Sequence, residues 1–246
     1  MKDAYSFHES QESMDQNYQE FLVAYKRVYS RLGLEFSVVD ADNGDMGGSQ
    51  SHEFIAEAEV GSDTYQKCSN CLNGTKDLKK QRCRDCDSEL GEVNGIEIGH
   101  CLKIGNRYTQ EDNIGLTYTT ENGGEREVQM ASYGIGVSRL ISAIIEQNND
   151  EKRINWNKEV AAFDTAVILA SDDEKVVNKA EEVYSKLESN VIFFDGDLSV
   201  GEKFAEADLI GVQRKIILGN NYLENGEIEV ETRGGYTKTI GNITHG

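Results

Sequence analysis

Two groups of residues in this 246-residue chain have the types and spacing to do chemistry. The first is the run 130–147, MASYGIGVSRLISAIIEQ, where a strand pattern passes into an amphipathic helix across two glycines. Gly134 and Gly136 would let backbone approach a flat ligand with no Cβ in the way. Arg139, on the helix's first turn, offers a permanently charged planar guanidinium that can stack on a base and pair with phosphate. The run reads as a nucleotide seat, although the G-x-G-x-x-R pattern alone also describes a tight strand-to-helix turn with a surface arginine. The second group is Cys68-x2-Cys71 followed, after eleven intervening residues, by Cys83-x2-Cys86. Four thiolates at that spacing match a structural zinc site; disulfides, which a reducing cytosol opposes, and free thiols are the alternatives. Lys76, Lys79, Lys80, Arg82 and Arg84 would offset the double negative charge of a four-thiolate zinc centre. Such a centre has no open coordination position and would brace the fold. The fifth cysteine, Cys101, sits in an apolar run and reads as a small core residue.

These groups need elements to position them. Tyr18, Phe21, Leu22, Tyr25, Val28, Tyr29 and Leu32 recur at three- and four-residue spacing, predicting an amphipathic helix over 11–32 with its aromatic stripe in the core. Gly33 then stops the helix. Strands are predicted at 1–8, 34–39, 51–60, 94–104, 114–119 and 126–132, a succession that implies an antiparallel sheet. From Phe163 the pattern alternates: strand 166–170, helix 172–189, strand 191–194, helix 201–210, then strands 215–218 and 228–233, an α/β layer domain. Residues 148–157, charged and poorly periodic, read as the linker.

Composition narrows the function. With 38% hydrophobic residues and no apolar run near 18, no transmembrane helix is expected, and the chain's start has neither the charged nor the apolar region of a signal peptide. A formal charge of −19 argues against broad nucleic-acid affinity. It still allows a folded RNA to be read by a local cationic face. Lys203, Arg214, Lys215, Arg233 and Lys238 fall in the last fifth of the chain, either as such a face or as solvated surface charges.

Taken together, the motifs resemble those of the class II aminoacyl-tRNA synthetases, and closely the bacterial-type prolyl-tRNA synthetases. YGIGVSR at 133–139 is similar to the family's motif 3, MKDAYSFH at 1–8 to the second strand of motif 2, and GGSQSHEF at 47–54 to its GG-x-x-SHEF segment. IEIGHCLKIGNRY at 96–108 is similar to the family's IEVGHIF strand, and FAEADLIGVQRKIILG at 204–219 to its C-terminal signature. The resemblance implies an α+β protein: a class II antiparallel-sheet catalytic core at 1–157, incomplete and carrying a zinc knuckle at about 64–92, then an α/β anticodon-binding domain at 162–246. The family's editing domain, inserted in many members between SHEF and the IEVGH strand, has no room in the 40 or so residues available here.

The activity implied is ATP-dependent activation of proline and its transfer to tRNA(Pro), in the cytoplasm, with Mg2+ and structural zinc. Arg139 would contact ATP, while Gly134 and Gly136 would admit adenine and proline. Glu97 would meet the ribose or a magnesium ion, unless it is a strand-edge carboxylate in solvent. Asp3 would face proline's secondary ammonium, Phe54 and Met1 would form the apolar wall, and His100 and Ser132 the rim. Ser132 stands where the family commonly has cysteine. His52 reads as a structural hydrogen-bonding residue, and His8 and His245 carry no specific signal. Lys203, Phe204 and Arg214 would supply phosphate contacts and base stacking to tRNA, while the arginine of the family's Asp-Asp-Arg is missing at Asp195-Gly196-Asp197.

Two departures stand out. Motif 1, which builds the family's dimer interface, and the motif 2 arginine have no counterpart before MKDAYSFH. The resemblance then implies a fragment of a homodimeric enzyme, a site completed by an N-terminal polypeptide, or a protein that no longer activates proline. The isolated chain is therefore expected to give little pyrophosphate exchange until the preceding segment is supplied. A non-catalytic tRNA-binding protein derived from a synthetase is the alternative. The chain also has no proline, where roughly 12 would be expected at ordinary usage of ~5%. Asn157, Ala162 and Gln213 replace prolines of the family pattern. One reading is adaptation to the enzyme's own product, since a proline-free chain can be translated when prolyl-tRNA is exhausted; the rival is a bias against proline unrelated to function.

Overall fold

The computed structural model describes residues 1–150, 153–187 and 190–241; His245 and parts of the expected linker and second domain lie outside them. The chain forms two compact units, Met1–Gln147 and Asn148–Gly246. Among the described residues no helix is long and apolar enough to cross a membrane.

The first unit is built on seven strands: β1 (Lys2–His8), β2 (Phe36–Asp40), β3 (Gln50–Glu57), β4 (Asp63–Cys68), β5 (Asn73–Thr75), β6 (Leu90–Gly105) and, after the separate hairpin β7 (Thr117–Thr119) and β8 (Glu125–Glu127), β9 (Gln129–Ile135). Their order is β1-β9-β6-β3-β2-β5-β4, antiparallel except where β5 runs parallel to β2. β4 and β5 lie in the cysteine segment, where Lys, Gly and Cys obscure the two-residue period. They make that segment an extension of the main sheet, since β4 pairs along Leu90–Gly95 where β3 leaves β6.

Helix α1 (Gln11–Arg31) begins at Ser10, whose hydroxyl accepts from the Ser13 N–H at 3.1 Å, a standard N-cap. It ends before Gly33, which takes φ +72°. Tyr18, Leu22, Tyr25 and Tyr29 are buried on its inner face, as the spacing predicted, together with Met14, whereas Val28, expected in the same stripe, is exposed. They cover one face of the sheet: Phe21 stacks on Tyr133 with ring centroids 3.6 Å apart, and Tyr25, Tyr29 and Phe36 surround Phe54. The contact requires a glycine at Gly99, where a Cβ would lie 2.0 Å from the Tyr29 hydroxyl. We expect Gly99→Ala to destabilise the protein by about 2 kcal/mol, the usual scale of overpacking. Urea denaturation checks this, and adding Tyr29→Phe should recover part of the loss.

In the second unit β10 (Thr165–Leu169) is central and buried throughout. It lies parallel to β11 (Val191–Phe194) and β12 (Arg214–Leu218), and β13 (Ile228–Thr232) and β14 (Thr237–Ile240) follow antiparallel. Val167 and Leu169 pack with Val176, Ala180 and Val183 of α3 (Glu174–Lys186). Ala166 and Ile168 pack with Ala207 of α4 (Val200–Ile210). Both faces are thus covered, which is why β10 reads as a continuous apolar run. Ser199 and Glu202 close a reciprocal capping box at the start of α4. The pattern did not reveal α5 (Asn220–Asn225) or β14, both short and polar. Of the three sites that lack the family's proline, Asn157 and Ala162 lie outside helices and strands. The Gln213 N–H donates to the Asp164 carbonyl at 3.0 Å, a bond proline could not make.

Candidate functional site

β1, β9, β6 and β3 lie side by side, and their registers set Asp3 opposite Gly134, Gly134 opposite His100 and His100 opposite Glu53. The four form one row across the sheet, each step about 4.8 Å. The next row holds Tyr5, Ser132, Leu102 and Ser51. Along β9, Ala131, Tyr133 and Ile135 are buried on the side of α1, while Met130, Ser132 and Gly134 remain half-exposed. A Cβ on Gly134 would meet nothing nearer than Asp3 Oδ1 at 3.7 Å. What the glycine keeps is space between Asp3 and His100.

Strict alternation along β6 would put Glu97 and His100 on opposite faces. The register shifts instead: Phe54 pairs with Gly99 but Ile55 pairs with Glu97, leaving Ile98 as a bulge that turns Glu97 toward His100. Glu97 Oε1 lies 3.8 Å from His100 Nδ1, and Ser51 Oγ lies 2.6 Å from His100 Nε2. Arg139 arrives on α2 (Val137–Gln147) and donates from Nη1 to Glu97 Oε2 at 3.0 Å and to the Glu97 carbonyl at 3.2 Å. Its side chain remains 53% exposed. Gly136 makes the turn before α2, its N–H bonded to the Ile98 carbonyl at 3.0 Å. The first N–H groups of α2 have no partner within the helix and carry its positive end. The arrangement offers a carboxylate, Asp3, to a cationic group of a ligand, and Arg139 with the helix N-terminus to an anionic one.

Not all the expected residues gather here. Met1 is 84% exposed at the head of β1. Phe54, expected in the wall of a pocket, is wholly buried beneath α1 among Tyr25, Tyr29 and Phe36, on the face opposite His100. It supports the sheet from behind. Two buried cations serve the fold, one of them, Lys215, expected instead in a cationic face: Lys103, 7% exposed, pairs with Asp15 at 2.7 Å and lies over the Tyr18 ring at 4.7 Å. Lys215, 4% exposed, pairs with Asp208 at 2.5 Å and Glu231 at 3.4 Å.

His52 is a hydrogen-bonding residue, as its motif suggested. Its Nε2 lies 3.2 Å from Asp40 Oδ1 and its Nδ1 2.7 Å from the Tyr18 hydroxyl. Burial pushes the imidazole's pKa below its ordinary 6.5, against the opposing pull of Asp40. The neutral form therefore persists in the folded protein where an unfolded chain would already take up a proton. This histidine costs stability as pH falls from about 6.5 toward its folded value, and costs nothing above that range. We expect its NMR titration midpoint below 6.5; a midpoint above it would show that Asp40 outweighs burial.

In the cysteine knuckle all four Sγ atoms lie within 4.8 Å of one another, and none is in a disulfide. Cys68 and Cys86 are 3.4 Å apart, Cys71 and Cys83 3.6 Å, and Cys71 and Cys86 3.7 Å. A tetrahedral zinc with bonds of about 2.3 Å requires sulfurs about 3.8 Å apart, so the donor set fits. Ser88 hydrogen bonds draw the Cys86 thiol down to about 6, while burial pushes Cys71 up to about 12. Cys101, buried, is pushed to about 12 and is a core thiol. Lys76 and Arg84 do not turn to the sulfurs as expected. Lys76 pairs with Glu53 and, at 3.1 Å, with Asp63; Arg84 pairs with Asp40 at 2.9 Å.

In the second unit the residues expected to meet RNA are divided. Lys203 is 5% exposed and its ammonium donates to the Leu169 carbonyl at 3.0 Å, so it faces the interior. Phe204 packs on the α4 core beneath Lys215, whose ammonium is 5.3 Å from the ring centre. Arg214 is exposed, with Nε bonded to Thr165 Oγ1 at 3.1 Å. Lys238 is exposed, while Arg233 donates to the Ile154 carbonyl at 3.2 Å.

Residues 1–148 match the family model of the tRNA synthetase class II core domain (G, H, P, S and T), and residues 164–243 that of the anticodon binding domain. Among curated relatives, a proline–tRNA ligase of Sulfurimonas denitrificans is 35% identical over 260 residues, covering 95% of this chain and 59% of the relative. One from Rickettsia bellii is 36% identical over 254 residues, covering 95% and 58%. One from Agrobacterium fabrum is 34% identical over 267 residues, covering 95% and 60%. The chain thus spans about three fifths of the length of these relatives.

Proposed function

Because the chain belongs to the class II tRNA synthetases of the G, H, P, S and T group, we propose that it acts as a proline–tRNA ligase, activating proline with ATP and transferring it to tRNA(Pro). The observation that carries this reading is the row of Asp3, Gly134 and His100 beside the Arg139–Glu97 pair. Proline brings a secondary ammonium, a compact apolar ring and a carboxylate. Asp3 faces the ammonium across the space left by Gly134, with Ser132 and His100 at the rim. Phe54 holds the strand from beneath.

The carboxylate must attack the α-phosphorus of ATP, forming the mixed anhydride as the bond to the β-phosphate breaks and pyrophosphate leaves, while negative charge builds on the phosphoryl oxygens. This asks for positioning and preorganised positive charge, with no protein nucleophile. Arg139 and the N-terminus of α2 supply that charge, and Gly136 lets the nucleotide lie close. Glu97 takes the ribose or a Mg2+ ion; one carboxylate suffices for a magnesium ion that also binds nucleotide phosphates. The four knuckle cysteines hold a structural zinc. In the second unit Arg214 meets tRNA, while Lys203 and Phe204 are released from that role, Lys203 by its burial and Phe204 by packing on the α4 side of the sheet. A cytoplasmic setting, and either a homodimer or an N-terminal partner segment, complete the proposal.

The test is ATP–pyrophosphate exchange by the chain, alone and supplemented with the motif 1 and motif 2 segment of a relative. Exchange should depend on proline and not on alanine at equal concentration. Tight tRNA(Pro) binding with no exchange in either form would replace this reading with that of a non-catalytic tRNA-binding protein.

A further inference from the structure

The cysteine knuckle does more than terminate a sheet edge. Residues 76–89, which include two of the four cysteines, contribute no strand; beyond a few turn bonds and one isolated bridge, Arg82–Glu89, their backbone is tied to the sheet by the Gln66 Nε2 bond to the Leu78 carbonyl at 3.2 Å and at its ends. Yet this segment sends one cation to each face of the sheet. Lys76 reaches Glu53, directly across from His100. Arg84, next to Cys83, reaches Asp40, which bonds His52. His52 and Glu53 are consecutive in β3 and so point to opposite faces, which places the strand between two arms rooted in one loop. The same strand carries Ser51, bonded to His100 at 2.6 Å.

We propose that the knuckle is a metal-set clamp on β3: a divalent ion on Cys68, Cys71, Cys83 and Cys86 fixes the loop from which Lys76 and Arg84 grip the strand, and so positions Ser51 and His100. The proposal rests on the reading of the open face as the substrate site and adds a control on it. The physical ground is that four thiols gathered around one point have little cohesion of their own, whereas a bound ion makes their convergence part of the folding free energy. Without the ion the loop loses its tie at Cys83 and Cys86: Arg84 loses its footing directly, and Lys76, the residue after β5, is held from one side only. Lys76 and Arg84 are positioning residues, since they touch strand residues and not the substrate.

Hydrogen exchange on the full chain tests this with no substrate present, so the outcome is independent of whether proline is activated. Removing zinc with a chelator should speed amide exchange at least tenfold over 50–57 and 97–103 as well as over 63–92, leaving 165–169 and 214–218 unchanged. With zinc bound, Lys76→Met combined with Arg84→Met should reproduce the increase over 50–57 while 81–90 stays protected, and Lys76→Arg should retain protection of 50–57. The clamp is overturned if zinc removal affects 63–92 alone, or if the double variant leaves 50–57 as protected as in the parent protein.

Discussion

Replacing Arg139 by alanine is expected to lower proline-dependent pyrophosphate exchange by at least 10²-fold in any form of the protein that shows it. The guanidinium is held at the junction of the open face and α2, where Glu97 orients it through two bonds from Nη1. A preorganised charge on the reacting phosphate contributes ~3 kcal/mol, and a lysine cannot reproduce its planar, two-sided pairing. Arg139→Lys should therefore recover only a small part of the rate. Stability should hardly change, because an ion pair this exposed contributes less than about 1 kcal/mol. Measuring kcat/KM for ATP together with the urea midpoint separates the two effects. A variant that keeps normal exchange would remove Arg139 from the site, and one that unfolds would reassign it to structure.

The second large effect is expected from the metal. Purified protein should carry one zinc per chain, and Cys83→Ser should abolish cooperative unfolding of the first unit. Zinc held by four thiolates has an apparent binding free energy of ~10 kcal/mol or more in small domains at neutral pH, comparable to the whole stability of an ordinary domain. The donor geometry is already present, with three of the sulfur separations at 3.4–3.7 Å and all of them within 4.8 Å. Since four protein ligands close the coordination shell, no step of proline activation should need water bound to this ion. Elemental analysis showing no zinc, with all four thiols rapidly alkylated in the native protein, would end this account.

Much of this architecture is legible in the amino-acid sequence because local interactions write it there. The aromatic stripe of α1, the stop at Gly33, the cysteine spacing and the strand-to-helix passage at Gly134–Gly136 all express short-range periodicity or the special freedom of glycine. The ordered motifs likewise led to the class II resemblance that the family models bear out. Tertiary structure decided the rest. Whether a residue in a strand faces the ligand or the core depends on register, and a single inserted residue reverses it. The bulge at Ile98 brought Glu97 to the side of His100, and register sent Phe54 under α1. Burial likewise decided the fate of cations that look alike in one dimension: Arg214 stays exposed, while Lys203 and Lys215, on either side of it in the chain's α/β unit, turn inward to a carbonyl and two carboxylates. Those partners lie 34, 7 and 16 residues away in sequence. Long-range partners of this kind leave no periodic trace, and only the packed fold brings them within hydrogen-bonding distance.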